Sequence, residues 1–245
     1  MANNIPILTY HRVHADEDIT PPNDLGRVDR SVFRRQMQYL AESNLRVVTH
    51  RELAAWLYDG RDIPERAVAI DFDDNRLNVF ENAFPLMREL GFPATVFTVT
   101  DLADNSPHIG NRMDVYPWMT WDHLKQLHDT GWCIAPHTVT HPWLAGPDRT
   151  ISDDDVQREL AESRRLVEQR LGFDAPYFAY PAGYWDEHVE SMVKTLFKTA
   201  RHWQLESTSD WPTVSRDCDP YRLFGINIAM NTSWDTFRSI VDAAV

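Results

Sequence analysis

Residues 68–80, VAIDFDDNRLNVF, run from a buried-looking apolar segment into Asp71, Asp73 and Asp74. One charge would be enough to meet water at a strand end. Three carboxylates within four positions repel one another unless a cation lies close by. Further along, His137 and His141 stand four apart in HTVTH. On one helical turn that spacing turns both imidazoles the same way. Two imidazoles and one carboxylate make the ligand set of a catalytic zinc or similar divalent site, which keeps a position open for water. A second aspartate beside such a set can accept a proton. Asp73 and Asp74, as neighbours on a strand, point apart, so one can ligate while the other approaches the water from the side. A helix cap after Asn75 would account for one carboxylate but not for three.

These residues need a scaffold that gathers strand ends. The 245 residues are 43% hydrophobic and 25% charged, as in an ordinary globular chain. The formal net charge of -13 argues against a nucleic-acid footprint, and mildly against a polyanionic substrate. No apolar run approaches a membrane span, and MANNIPILTYHRV lacks the basic and apolar regions of a signal peptide. The chain therefore reads as cytoplasmic, with neither a membrane nor a nucleic acid as partner. Cys133 and Cys218 form no Cys-x-x-Cys pair and read as lone thiols.

Short β-branched runs alternate with helical patterns along the whole chain. IPILTY, RVVT, AVAIDF, ATVFTVT, WCIAP, YFAYP and LFGINIA read as strands. Helices are expected in SVFRRQMQYLAES with Ser31 as N-cap, and in HRELAAWLYDG capped by Thr49 and stopped at Gly60. Others follow in VFENAFPLMRELG, in WDHLKQLHDTG capped by Thr120, and in ISDDDVQRELAESRRLVEQRLG with a Ser152/Asp155 capping box. WDEHVESMVKTLF and SWDTFRSIVDAAV complete the series. Such alternation means a parallel sheet with crossover helices, either a closed barrel or an open doubly wound sheet. No glycine-rich phosphate loop follows any strand. In both architectures function sits at the carboxyl ends of strands. The loaded ends are Tyr10-His11-Arg12, Asp71 to Asp74, His137 to His141, and Ala182-Gly183.

With these motifs in place, the chain resembles the polysaccharide deacetylases, the carbohydrate esterase family 4 or NodB-homology group. The family's Thr-Phe-Asp-Asp-Gly stands here as Asp71-Phe72-Asp73-Asp74-Asn75. Its His-(Ser/Thr)-x-x-His-Pro is intact from His137 to Pro142, and its Arg-x-Pro-x-(Gly/Tyr) is partly matched by FAYPAGY. The resemblance runs from about Ile5 to Ile228. It implies an α/β fold, a distorted (β/α) barrel in a single domain over residues 1–245. It also implies hydrolysis of an N-acyl or O-acyl group with one divalent metal ion, zinc first, with cobalt, nickel, iron or manganese as alternatives. Carried over by position, Asp74, His137 and His141 would ligate the metal, Asp73 would be the general base, and the backbone N–H of Ala182 would hold the oxyanion.

Three departures stand out. Asn75 replaces a glycine; asparagine tolerates a positive φ best among the other residues, and its amide is a possible substrate contact. Ala179 replaces the third motif's arginine, in a Tyr-Pro form shared with the branch that deacetylates poly-N-acetylglucosamine. The family's late histidine, the usual general acid, is missing: no histidine follows His202. In that same branch the acid comes from a Tyr-His-Arg-like first strand, which is His11 here. Asp71 replaces a threonine, and either contacts the site or ties down a loop. Tyr180, Trp143 and Trp185 are further candidate substrate contacts, although tryptophans beyond motifs, Trp211 among them, are more often packing residues. The expected substrate is a carbohydrate or small N-acetylated amine such as an amino-sugar. The rival readings are a non-catalytic sugar-binding relic and an amidohydrolase for a non-sugar amide or imide.

Overall fold

The computed structural model describes residues 4–17, 24, 26–104, 117–204 and 210–244. In chain order the elements are β1 (Ile7–Tyr10), β2 (Arg12–His14), β3 (Arg27–Asp29), α1 (Arg30–Glu42), β4 (Arg46–Val48), α2 (His50–Tyr58) and β5 (Ala67–Asp73). A π-helical turn (Val79–Ala83) then runs into α3 (Phe84–Glu89), followed by β6 (Thr95–Thr98), α4 (Thr100–Ala103), α5 (Trp121–Asp129) and β7 (Cys133–Pro136). The chain continues with α6 (Asp153–Leu171), β8 (Tyr177–Ala179), α7 (Glu187–Leu196), β9 (Thr199–Gln204), β10 (Leu223–Asn227) and α8 (Trp234–Asp242).

The main sheet is parallel throughout, in the order β7-β6-β5-β1-β10-β9-β8. β4 pairs with the first half of β5 and β6 with the second half. Among the described residues no ladder joins β7 to β8. The ring is nearly closed there by one side chain, His137, whose Nδ1 donates to the Ala179 carbonyl at 2.7 Å. This is a distorted (β/α) barrel, as the resemblance implies. β2 and β3 form a separate small parallel ribbon.

Strand alternation divides the side chains between two environments. Outward-facing Leu8, Tyr10, Ile70 and Phe72 pack under the helices with Phe33, Met37 and Trp132; Phe72 stacks on Trp132 with ring centroids 5.6 Å apart. Inward, the barrel floor is apolar, with Ile7, Ala69 and Leu223 packed on Leu53 and Trp56 of α2. Above the floor the inward positions become polar: Thr9, Asp71, Asp73 and Arg201 are all fully buried. Buried Cys133 has its thiol pushed up to about 12, chiefly by burial, which leaves it an unreactive thiol.

Several boundaries differ from the sequence reading. α1 begins two residues early, with Asp29 and not Ser31 as its N-cap; Ser31 lies inside, its N–H donating to Asp16 at 3.0 Å. The Thr49, Thr120 and Ser152 capping boxes are present. β2, β3, α4 and β9 are additional to the elements expected from the sequence. The last of these matters most. TARHWQ lacks the apolar alternation that marks a half-buried strand, because its inward face carries polar and aromatic groups for the site.

On the outward face of β9, His202 packs against Phe224 at 4.4 Å and Trp185 at 5.8 Å. Burial pushes its imidazole down from 6.5 to about 4. The unfolded chain takes up this proton near 6.5 and the folded chain only near 4, so acid favours unfolding across that window. His202→Phe keeps the packing and removes the proton. Its stability relative to wild type, from denaturant titrations, is expected to improve by about 1–2 kcal/mol between pH 6.5 and 4.

Candidate active site

Three aspartates end β5, and each has a different partner. Asp71 and Asp73 share the inward face, while Phe72 between them points out. Asp74 leaves the strand with φ at 69°, and this left-handed turn brings its carboxylate round to the cavity that Asp73 faces. Neighbouring aspartates thus reach one site, which a regular strand would not permit. Asp74 Oδ2 accepts from Arg76 at 3.3 Å, while Oδ1 lies 3.5 Å from His141 Nε2 and 4.0 Å from His137 Nε2. Burial alone would raise the Asp74 carboxyl. His141, Arg76, His11 and His137 outweigh it and hold it well below the usual carboxylate range.

The histidine pair does not lie on a helical turn. Residues 137–141 form a loop in which Thr138 and His141 have φ of 68° and 63°. Thr138 Oγ1 accepts from the His141 N–H at 3.0 Å, and Glu159 of α6 accepts the N–H groups of Val139 and Thr140 at 2.7 and 2.9 Å. The first amides of α4 donate to the carbonyls of Thr138 and Val139. The imidazoles converge, their centroids 4.8 Å apart, through this clamped loop. The bond from His137 Nδ1 to Ala179 assigns the proton to that nitrogen and leaves Nε2 as a lone-pair donor.

The candidate donor atoms of Asp74, His137 and His141 all lie within 4.8 Å of one another. Tetrahedral zinc with bonds of about 2.0–2.1 Å places its donors about 3.3 Å apart. The two measured histidine–Asp74 separations exceed this by 0.7 Å or less. Donor type, burial and the fixed His137 tautomer all suit a divalent cation.

Asp73 is held by a residue absent from the sequence-level site. Arg201 of β9 is fully buried; its Nη2 bonds Asp73 Oδ1, and its Nε lies 3.1 Å from Asp71 Oδ2. The guanidinium lies over the Phe97 ring at 4.8 Å. An arginine therefore reaches the site although Ala179 stands in the third motif. The signal for it was Gly225 in LFGIN, since a glycine inside a strand marks close approach. A methyl there would collide with Thr9 Oγ1 and lie 2.7 Å from Arg201 Cδ. Burial raises the Asp73 carboxyl, but Arg201, His137 and His11 bring it below its ordinary value. Among the described residues Asp73 Oδ2 has no hydrogen-bond partner, and it faces His11 Nε2 at 3.9 Å.

His11 lies beside the same group, its Nε2 3.9 Å from Asp73 and its ring edge-on to Trp203 of β9 at 5.9 Å. Burial lowers its imidazole, Asp73 and Asp74 oppose this, and the net shift is downward. Ala182 takes φ of 54°, and Gly183 beside it packs on the Trp203 backbone, where a Cβ would come within 3.1 Å. Trp143, two residues after His141, packs its ring against exposed Tyr184 at 4.8 Å.

Other expected contacts lie elsewhere. Asn75 does adopt positive φ, at 39°, but its amide is fully buried, accepting from Val99 N–H and donating to the Met119 carbonyl. Tyr180 is also fully buried, its hydroxyl directed at the Tyr221 carbonyl. Neither is placed to meet substrate. Asp71 faces Arg201 and His50 rather than the cavity mouth. Trp185 lies under Arg222 and packs with the α7 cluster, and Trp211 bonds Ser239 beside α8. Among the described residues no helix is long and apolar enough to cross a membrane.

Fold and site together define a hydrolase built on a parallel barrel, with its polar groups at the carboxyl ends of the strands. The polysaccharide deacetylase family model matches residues 60–200, more than half of the chain, and the protein belongs to that family. The chain is 25% identical over 257 residues to the poly-beta-1,6-N-acetyl-D-glucosamine N-deacetylase of Staphylococcus epidermidis, covering 96% of this chain and 84% of the relative. Its fold matches that of the Streptococcus pyogenes deacetylase PplD in complex with acetate, with a TM-score of 0.81, 21% identity and coverage of 98% and 99%. IcaB from Ammonifex degensii matches with a TM-score of 0.77, 21% identity and coverage of 99% and 97%. The protein is a deacetylase of the polysaccharide deacetylase type.

The packing of Gly225 generates a direct test. Gly225→Ala is expected to push Arg201 off Asp73, lowering kcat for deacetylation about 10–100-fold while costing about 1–3 kcal/mol of stability. Unchanged turnover in the folded variant would show that Arg201 is dispensable.

Proposed function

We propose that the protein removes the N-acetyl group of an amino-sugar by hydrolysis, with one divalent cation, zinc first, held by Asp74, His137 and His141. The observation that carries this reading is the convergence of those three donors beside Asp73, whose Oδ2 is unpartnered among the described residues. A cation there supplies Lewis-acid polarisation of the acyl oxygen and acidifies water. Asp73 Oδ2 takes the proton of the attacking water as its oxygen bonds the acyl carbon. Arg201 keeps Asp73 ionised and fixed. The N–H of Ala182 donates to the developing oxyanion. When the carbon–nitrogen bond breaks, His11 gives a proton to the leaving nitrogen, and acetate and a free amine result. Half-buried Trp143 and exposed Tyr184, their rings tilted 42° to each other, offer an apolar surface against which a sugar ring can pack. The family, and a relative whose name specifies poly-beta-1,6-N-acetyl-D-glucosamine, favour an amino-sugar acceptor. Arg201 beside Asp73 and His11 near it speak against the non-catalytic relic, which rests on Asn75, Ala179 and the missing late histidine.

Acetate release from N-acetylglucosamine and its β-1,6-linked oligomers tests the reading. Chelation is expected to abolish release and added zinc to restore it. Asp73→Asn is expected to retain the metal and lower kcat by roughly 10²–10⁴-fold. Release from simple non-sugar amides alone would move the assignment to an amidohydrolase.

The acid role is separable by leaving group. An amine requires protonation to depart, whereas an activated aryl acetate hardly does. His11→Ala is expected to reduce turnover of the N-acetyl sugar at least about 10-fold more than that of the aryl ester. Equal losses on both would assign the proton to another donor.

A further inference from the structure

Asp71 stands where the motif it resembles has a threonine, and its carboxylate is fully buried below the site. Two cationic or hydrogen-bonding groups meet at the same oxygen, Oδ2. One is Arg201, whose Nε lies 3.1 Å away in an ion pair that makes no Nε–H hydrogen bond, and the other is His50 Nε2, hydrogen-bonded at 2.9 Å. His50 is the first residue of α2 and is also fully buried. It enters the barrel where β4 stops pairing with β5 and β6 starts. Its backbone N–H donates to Thr95 Oγ1 at 3.0 Å, and its ring lies edge-on to Phe97 at 5.0 Å, the same ring that carries the Arg201 guanidinium.

The guanidinium is thus divided between two carboxylates. Its Nε faces Asp71, and its Nη2 bonds Asp73 through Oδ1 alone. An arginine facing one carboxylate prefers to close a two-pronged pair, using both oxygens. With Asp71 absent, Arg201 would have Asp73 as its remaining anionic partner and could rotate into that pair. Both oxygens of Asp73 would then be engaged, including Oδ2, the one aimed at His11 and the cavity. We propose that Asp71 and His50 are positioning residues: by holding one side of the Arg201 fork they keep Asp73 singly bonded and leave its Oδ2 open to accept the proton of the attacking water. His50 acts one step further back, fixing the Asp71 carboxylate against α2 and Phe97. The departure at Asp71 and the arrival of an arginine from β9 form one coordinated arrangement. This inference rests on the deacetylase reading for its catalytic consequence, though not for its geometry.

The test compares Asp71→Thr, His50→Gln and His50→Leu in the zinc-loaded protein, alone and in an Arg201→Gln background. Asp71→Thr is expected to lower kcat about 10–100-fold with KM and zinc affinity unchanged, the scale of an outer-shell partner. His50→Leu is expected to act in the same direction, and His50→Gln, which keeps an N–H donor, to recover most of the loss. In the Arg201→Gln background Asp71→Thr is expected to add less than about 2-fold, because the two act through one contact. Wild-type kcat in Asp71→Thr, or losses from Asp71→Thr and Arg201→Gln that multiply, would overturn the proposal. If Asp71→Thr fails to fold, the Leu/Gln contrast at His50 decides. A second readout is independent of activity: the ¹⁵N chemical shift of Arg201 Nε, which reports the ion pair with Asp71, is expected to be alike in wild type and His50→Gln and displaced in Asp71→Thr. A wild-type protein that releases no acetate but shows this pattern sinks the deacetylase reading and leaves the network standing. An Nε shift that is indifferent to Asp71 sinks the network.

Discussion

The buried guanidinium of Arg201 is the constraint around which the interior is arranged. A charge taken out of water costs several kcal/mol unless it is closely paired. Within the barrel its partners are the two inward carboxylates of β5, Asp71 and Asp73. That pairing explains why β5 ends in so many acids. It explains why β10 carries a glycine where the Arg201 stem crosses it, and why β9 looks unlike a strand in sequence. It also restrains Asp73. A carboxylate in an apolar barrel would drift toward its neutral form, and the guanidinium holds it ionised.

Backbone conformation is the second concentrated expense. Six non-glycine residues among those described have positive φ, and five of them, Asp74, Asn75, Thr138, His141 and Ala182, belong to the site loops. Such conformations cost roughly 1 kcal/mol or more each and persist where the surroundings over-determine them. The surroundings here are specific. The Asn75 amide ties its turn to Val99 and Met119, Glu159 and α4 clamp the histidine loop, and Gly183 seats the Ala182 turn against Trp203. Asn75 thus does for the first loop what the family's glycine does, and adds two anchors a glycine lacks.

How legible this was in the sequence follows from what kind of signal each part leaves. Periodicity and caps marked the helices and most strands, because both are local. The Thr49, Thr120 and Ser152 boxes are where the spacing placed them. The metal-type trio was readable because its residue types are rare in that spacing, although the helical reading of HTVTH was wrong: a four-residue interval suits a turn clamped from outside as well as a helix. β9 was not readable. Arg201 and Trp203 face inward, so the strand shows no apolar face, and the arginine's partners lie far away in sequence. Tyr180 and Asn75 neighbour the motifs in sequence, yet burial and hydrogen bonding give them to the loops and not to the substrate.

A barrel interior explains how site groups can change their place of origin. Inward side chains from every strand reach one small volume, so chemistry requires a group at a position in space and not on a given strand. An arginine entering from β9 reaches Asp73 although Ala179 stands in the third motif. A histidine at the end of β1 comes within 3.9 Å of the same carboxylate although no histidine follows His202. Such exchange is steric as much as chemical. An arginine stem on β9 needs room over β10, which Gly225 gives, and a ring at the end of β1 needs a wall, which Trp203 gives. What must stay in place are groups whose backbone fixes them: Asp74 and the two histidines, each tied to a loop that few sequences can form. A relocated group should therefore be sought by the small residue that admits it, before the charged residue itself.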